Sequence, residues 1–310
     1  MNKNIPKKFI VIFSLLAMTT AVYGECVSGN CESGKGKYAF KGGDVYEGDF
    51  KDGQMTGKGK YTFSDGRVYT GDWVDGSRTG KGKLTLKNDD SFEGDFVDNQ
   101  ITGKGRFIFS DGRVYEGDWV DGAKSGKGKY TLKNGDVYEG EFKDDRINGQ
   151  GSYKYSDGSF YTGAWTDGAR NGHGTFNLSN GDVYEGSFVS GKMTGKGKYT
   201  LKNGDTYEGE FLNGVLDGAG KIVFKNGDIC DGNFKNDKLH GKGRYFFKNG
   251  DTYEGQFHQG QKEGAGKYVY KNGDIYEGQF KNDLPNGKGK YVAKNGAIKE
   301  GEFINGKFVK

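Results

Sequence analysis

Three histidines and three cysteines are the side chains in this 310-residue chain best suited to hold a metal or act as nucleophiles and bases. His173, His240 and His258 stand at different places in the chain, and none has a second His or a Cys at metal-ligand spacing. Cys26 and Cys31 lie close together in ECVSGNC, whereas Cys230 is solitary. Acidic side chains are abundant but recur in phase, as Glu47, Glu93, Glu116, Glu139, Glu185, Glu208, Glu254 and Glu277 do. A general acid–base pair is normally unique, so such a column reads as a solvated face. The Gly-x-Gly pair at Gly34 and Gly36 also recurs, but no helix follows to offer its N-terminus and no Gly-Lys-Ser/Thr ending appears. No catalytic constellation, metal site or cofactor is expected.

The elements that position these residues are set by a repeat. The aromatic at Tyr46 returns as Tyr69, Phe92, Tyr115, Tyr138, Tyr161, Tyr184 and Tyr207, then as Cys230, Tyr253, Tyr276 and finally Lys299, always 23 residues apart. Twelve such units cover residues 34–309 with no insertion or deletion. A fixed period of this length means a repeat architecture. Within a unit, Tyr38 and Phe40 alternate with Lys37 and Ala39 in GKYAF, and Tyr46 and Phe50 alternate with Glu47 and Asp49 in VYEGDF. Alternation of period two predicts half-buried strands. Turn sequences such as KNGD at Lys133–Asp136 and SDGR at Ser64–Arg67 join them, with Gly at the third place in every unit but the one holding Asp89. Keeping all four rings on one face requires facing residues of one parity, which a three-residue loop ending in a left-handed Gly can supply. The following loop, Lys51–Thr56 in the first unit, returns the chain, so every strand pairs antiparallel with its sequence neighbours.

Tyr-Glu-Gly-Asp/Glu-Phe followed by a Gly-x-Gly pair, as in Tyr138–Phe142 with Gly149 and Gly151, resembles the MORN (membrane occupation and recognition nexus) repeat. The resemblance covers residues 34–309 and implies an all-β fold, an elongated single-layer antiparallel sheet of stacked β-hairpins. It further implies a protein-interaction or oligomerisation module, with membrane attachment in the family's name and a homodimer through terminal repeats as a family expectation.

The chain is expected to begin with a Sec signal peptide, residues 1–24. Lys3, Lys7 and Lys8 precede the short apolar run Phe9–Met18, and cleavage is expected after Gly24. The run is too short for a membrane span of ~20 residues. That assigns the chain to export, as a periplasmic, envelope-associated or secreted protein. Residues 25–33 form a Cys-containing N-terminal cap, in which an oxidising compartment favours a Cys26–Cys31 disulfide. Removing three lysines leaves 43 basic against 42 acidic residues (46 and 42 in the whole chain), so charge gives no pull toward nucleic acid.

Three surfaces are candidates for function. Gly34, Gly36 and Gly48 occupy positions that are Gly in all twelve units and read as structural, leaving room for rings over the backbone. The aromatic face, with Trp73, Trp119 and Trp165 beside Tyr46, Tyr69 and Tyr115, is the candidate binding face. The lysines within the Gly-x-Gly corners, Lys35, Lys58, Lys81, Lys104 and Lys127, form a basic edge that suits phospholipid headgroups. The leading expectation is a non-catalytic exported scaffold for a protein partner or envelope component. The alternative is a cell-wall or glycan-binding module, which requires the three tryptophans to be exposed.

Overall fold

The computed structural model describes residues 24–310, so the expected targeting segment lies outside the described residues except for Gly24. The fold is all-β, with 26 strands and no helix among the described residues. After β1 (Glu25–Gly29) and β2 (Gly34–Ala39), seven-residue strands alternate with nine-residue strands. The pattern is set by β3 (Val45–Lys51) and β4 (Gln54–Thr62) and ends at β25 (Ile298–Ile304) and the short β26 (Lys307–Phe308). The chain divides into two compact units, residues 24–157 with 165–168 and residues 158–164 with 169–310. Within each, hairpins stack by antiparallel pairing of strands adjacent in sequence.

The first loop of each repeat has the expected form. In the first repeat, Phe40 N donates to Asp44 O and Gly43 N to Phe40 O, closing a three-residue loop that ends in Gly43 at φ 90°. Asp89 holds the same conformation at φ 66°, which Asp tolerates better than most side chains. Tyr38 then faces Tyr46 across the ladder. The second connection is tighter than the six-residue loop expected over Lys51–Thr56. The strand runs through Lys51 and resumes at Gln54, with only Asp52 (φ 50°) and Gly53 (φ 72°) between. Two successive residues with positive φ make a type I′ turn, whose twist matches that of the flanking strands. Asp, Asn, Ser or Gln fills the first place and Gly, Asn or Asp the second in all units.

The ladder slips by two residues just after this turn. Gly48 faces Gly59 and Asp49 faces Thr56, so Gly57 and Lys58 bulge out, with Gly57 at φ 58°. The first glycine of each Gly-x-Gly pair is the bulge residue. The second serves close approach. A Cβ on Gly59 would overlap the Tyr46 ring, and one on Gly48 would meet both the Tyr46 hydroxyl and the Gly59 backbone. Tyr46, Tyr69, Tyr115, Tyr138, Tyr161 and Tyr184 therefore each lie over a cross-strand pair of glycines and are fully buried, whereas Tyr207 is only half-buried. The hydroxyl ends on a carbonyl, with Tyr46 Oη donating to Asp49 O at 3.0 Å.

The array's ends use substitutes for that ring. At the start, Cys26 and Cys31 are disulfide-bonded, and Cys31 Sγ sits over Gly36 where the preceding unit's ring would lie. At the finish, Phe308 packs over Gly301 and against Phe303 at 5.3 Å between centroids. Cys230, buried and free, leaves its glycines to Leu239, and Leu216 covers Gly209 and Gly220. Gly59→Ala is expected to destabilise its hairpins by about 1–3 kcal/mol through overpacking against Tyr46. Hydrogen exchange of the amides in residues 45–74 should accelerate, whereas Gly42→Ala, with nothing within 4 Å of the new methyl, should leave it unchanged.

Candidate interaction surface

The aromatic face is a packed core rather than an open platform. Trp73, Trp119 and Trp165 are 4%, 5% and 5% exposed, and Tyr46, Tyr69 and Tyr115 are fully buried. Tyr46 contacts Phe50 and Trp73 edge-on at 5.1 and 5.2 Å, and Tyr69 contacts Trp73 and Phe96 at 5.3 and 5.0 Å. Such contacts contribute about 0.5–1.5 kcal/mol each beyond burial. The indole nitrogens donate inward to Gly59 O (3.4 Å), Gly105 O (3.2 Å) and Gly151 O (3.2 Å). The exposure that a sugar-stacking row needs is thus corrected: the tryptophans fill space over glycine and spend their polar atoms on the backbone.

Cations complete the cover. Arg78 lies opposite Trp73 in the ladder, its guanidinium 5.5 Å from the Tyr69 ring and 5.7 Å from Phe96. Lys124 lies opposite Trp119 and 5.7 Å from Tyr115. In the second unit, Arg170 covers Phe176 at 4.5 Å and Phe188 at 5.1 Å, and Lys262 stands 5.6 Å from Tyr253. Each also ties to the next type I′ turn: Arg78 Nη2 donates to Asn99 O, Arg170 Nη2 to Gly191 O, and Lys124 Nζ to Asp145. Burial lowers the pKa of Lys262, with Asp283 opposing. These cations escaped sequence reading because Met55, Ile101, Ile147 and Leu239 share their column.

The basic edge carries its own counter-charges. Lys81 Nζ pairs with Asp95 at 2.6 Å and Lys104 Nζ with Asp118 at 2.7 Å, and Lys58 and Lys35 pair likewise with Asp72 and Asp49. Each Asp also accepts a backbone N–H from the next corner: Lys58 to Asp49, Lys81 to Asp72, Lys104 to Asp95 and Lys127 to Asp118. The lysine ammonium groups, first, and these N–H groups hold Asp72, Asp95 and Asp118 below the usual carboxylate range. The edge is a Lys–Asp ladder, so its net field is weak.

A second carboxylate column, read in the sequence only as turn chemistry, staples repeats together. Asp182 accepts from Lys202 N at 2.8 Å, Tyr199 Oη at 3.0 Å and Asn180 Nδ2 at 2.8 Å. Asp136, Asp228 and Asp251 receive the tyrosine and backbone of their next repeat in the same way. Where SDGR replaces KNGD, Arg67 and Arg113 stand in this column and stack on Phe63 and Phe109 at 4.4 and 4.3 Å.

What remains outward is sparse. Val74, Val97 and Val120, on successive repeats of the first unit, are 49%, 51% and 53% exposed beside the type I′ turns. Val189 and Leu212 repeat the feature in the second unit. His258 stands in the same column as these valines, and just beyond the pairing of Gly241 with Phe257 its ring lies 5.0 Å, centroid to centroid, from that of His240. The histidines were expected to stand alone. The hairpin brings these two together across 18 residues of sequence, and His173 remains apart. Among the described residues, no cluster of three or more His, Cys, Asp or Glu could hold a metal ion, and no helix is long and apolar enough to cross a membrane.

Asp182 gives a pH prediction. Hydrogen bonds from Lys202 N, first, and then Asn180 and Tyr199 depress its pKa below the ordinary 3.8 against the opposing effect of burial. A depressed folded value stabilises the fold above the unfolded pKa and is lost as pH falls through the folded one. Melting temperature should therefore hold from pH 7 to about 5 and decline below about 4. Asp182→Ala should lose about 1–3 kcal/mol at pH 7, because three donors lose their acceptor, and should show a shallower acid decline.

The family model for the MORN repeat matches eleven consecutive segments: residues 46–66, 69–91, 92–112, 115–137, 138–160, 161–183, 184–206, 207–229, 230–252, 253–275 and 276–298. These frames start at the tyrosine rather than at Gly34, so the half-units at 34–45 and 299–309 account for the difference from twelve. No curated protein matches the chain. Among solved structures, the SAS-4 (dCPAP) TCP domain of Drosophila melanogaster, in complex with a proline-rich motif of Ana2, is similar at 14% identity. The match covers 61% of this chain and 99% of that one, with a TM-score of 0.36. The TCP10 domain of Danio rerio CPAP, with a STIL peptide, is similar at 12% identity over 91% and 99%, with a TM-score of 0.20. A streptogramin B lyase is similar at 13% over 91% and 87%, with a TM-score of 0.14. Superpositions this loose carry no argument about what the chain does. The family match stands on the repeated ring, glycine pair and turn just described, and the chain belongs to the MORN-repeat family.

Proposed function

We propose that this chain is an exported, non-catalytic scaffold that binds a protein partner through its outward face, along the type I′ turns. MORN repeats are in general protein or membrane interaction modules. The observation that carries the reading is the stripe Val74, Val97 and Val120, each about half exposed, beside an aromatic face that is spent on internal packing. Exposed β-branched residues on successive repeats offer apolar contact on a rigid support. The Lys–Asp ladder favours protein over anionic lipid, since Lys35, Lys58, Lys81 and Lys104 already have carboxylates within 4 Å. Export is supported by the basic and apolar residues before Gly24 and by the Cys26–Cys31 disulfide, a bond suited to an oxidising compartment. The repeated charged columns and the carboxylates used in turns leave no group assigned to catalysis.

Co-sedimentation of residues 25–310 with protein-containing envelopes, protein-free anionic liposomes and purified wall polymer tests this reading. Pelleting is expected with envelopes alone, and the triple variant V74E/V97E/V120E should bind at least tenfold more weakly while keeping its melting temperature. Salt-sensitive pelleting with pure liposomes, or pelleting with wall polymer released by soluble sugar, would overturn it.

A further inference from the structure

The geometry points to a metal site that the repeat pattern does not require: we propose that His240 and His258 together bind one borderline divalent cation of the Zn²⁺, Ni²⁺ or Cu²⁺ class. His240 lies on β20 (Lys238–Phe246) and His258 ends β21 (Thr252–His258), and these strands pair antiparallel with Gly241 opposite Phe257. The ladder ends at that pair, and the two histidines stand one residue beyond it on each strand. Their ring centroids are 5.0 Å apart and the planes are inclined at 51°. Two imidazoles at this separation reach a shared ion at Zn–N distances of about 2.0–2.1 Å by rotation about their side-chain bonds.

The nitrogens are free for the task. Among the described residues, neither ring has a hydrogen-bond or ion-pair partner. His258 is exposed and His240 half-buried, so an ion has access from solvent. The other repeats show what the His240 position ordinarily does. Thr79, Thr194, Asp217 and Glu263 stand there in other units, and an oxygen of each accepts the backbone N–H of the turn residue 19 places ahead. Asp217 and Glu263 fall one repeat before and after His240 and bring carboxylates to the same row. Imidazole is the ligand type best suited to these ions among nitrogen donors. Two protein ligands leave coordination positions to water, so the site is open and exchangeable.

Untagged residues 25–310 should be titrated with Zn²⁺ and with Ni²⁺ by calorimetry, with the histidine ring resonances followed by NMR. Wild type is expected to bind one ion per chain and to shift the resonances of His240 and His258 together while leaving His173 in place. H240A and H258A should each weaken binding at least tenfold, and H173A should not. Thermal melts without metal check that each variant is folded, since both side chains lie on the outward face. Equal affinity in wild type and in either single variant, or metal-induced shifts confined to one ring, would overturn the proposal.

Discussion

The contact between an aromatic ring and a cross-strand pair of glycines governs the rest of the structure. A sheet one layer thick has no opposing layer on which to bury side chains. Here Gly48 and Gly59 remove both Cβ atoms from the floor beneath Tyr46, and the ring drops onto the backbone. The tyrosine becomes fully buried, and the phenylalanine or tryptophan of its own and the next repeat close over it edge-on. The bulge at Gly57 keeps this geometry in phase. It absorbs two residues just after the turn, so Met55 faces Phe50 while Gly59 and Tyr61 come opposite Gly48 and Tyr46. A side chain at either glycine would lift the ring, and the edge contacts of two repeats would open with it.

That constraint explains why the polar groups are arranged as they are. Once the rings lie flat, the guanidinium of Arg78 and the ammonium of Lys124, opposite Trp73 and Trp119, bring their charge over the tyrosine rings. The head group then reaches the next turn, which turns a space-filling residue into a clamp between repeats. Asp182 and its counterparts do the same at the other loop, collecting a tyrosine hydroxyl and a backbone N–H from the following repeat. Each carboxylate owes its lowered pKa to an asparagine of its own turn and to donors from the next repeat, so titration of this column also loosens the stacking.

Much of the fold is legible in the sequence because a period of 23 with alternating rings admits one register. The three-residue loop and even the left-handed Asp89 follow from composition. The type I′ turn was also written there, in Asp, Asn, Ser or Gln followed by Gly, Asn or Asp, but a six-residue loop is the natural reading until the strand is seen to run through Lys51. Surface function was less legible. Alternation says that Trp73 and Tyr69 share a face. It does not say that the face closes, because closure depends on a ring from the next repeat and on an arginine in a column that is elsewhere methionine or isoleucine. His240 and His258 look unrelated for the same reason, since their proximity is created by a hairpin and not by local spacing.

The columns therefore divide by what the frame demands of them. Gly48, Gly57, Gly59 and Tyr46 are fixed by sterics, and the aspartates at the loops by hydrogen bonding between repeats. The outward position after the ring, which reads Val74, Val97 and Val120 in one unit and His258 in the other, meets no such demand. Because contacts within the array run between nearest neighbours, a change there alters local surface chemistry without disturbing distant repeats. Val74, Val97, Val120 and His258 are four occupants of that one permissive column, and His240 belongs to the neighbouring column of Thr79, Asp217 and Glu263. The aromatic signature by which the family is recognised is thus the part committed to holding the sheet together, and the open-face positions are left free to vary.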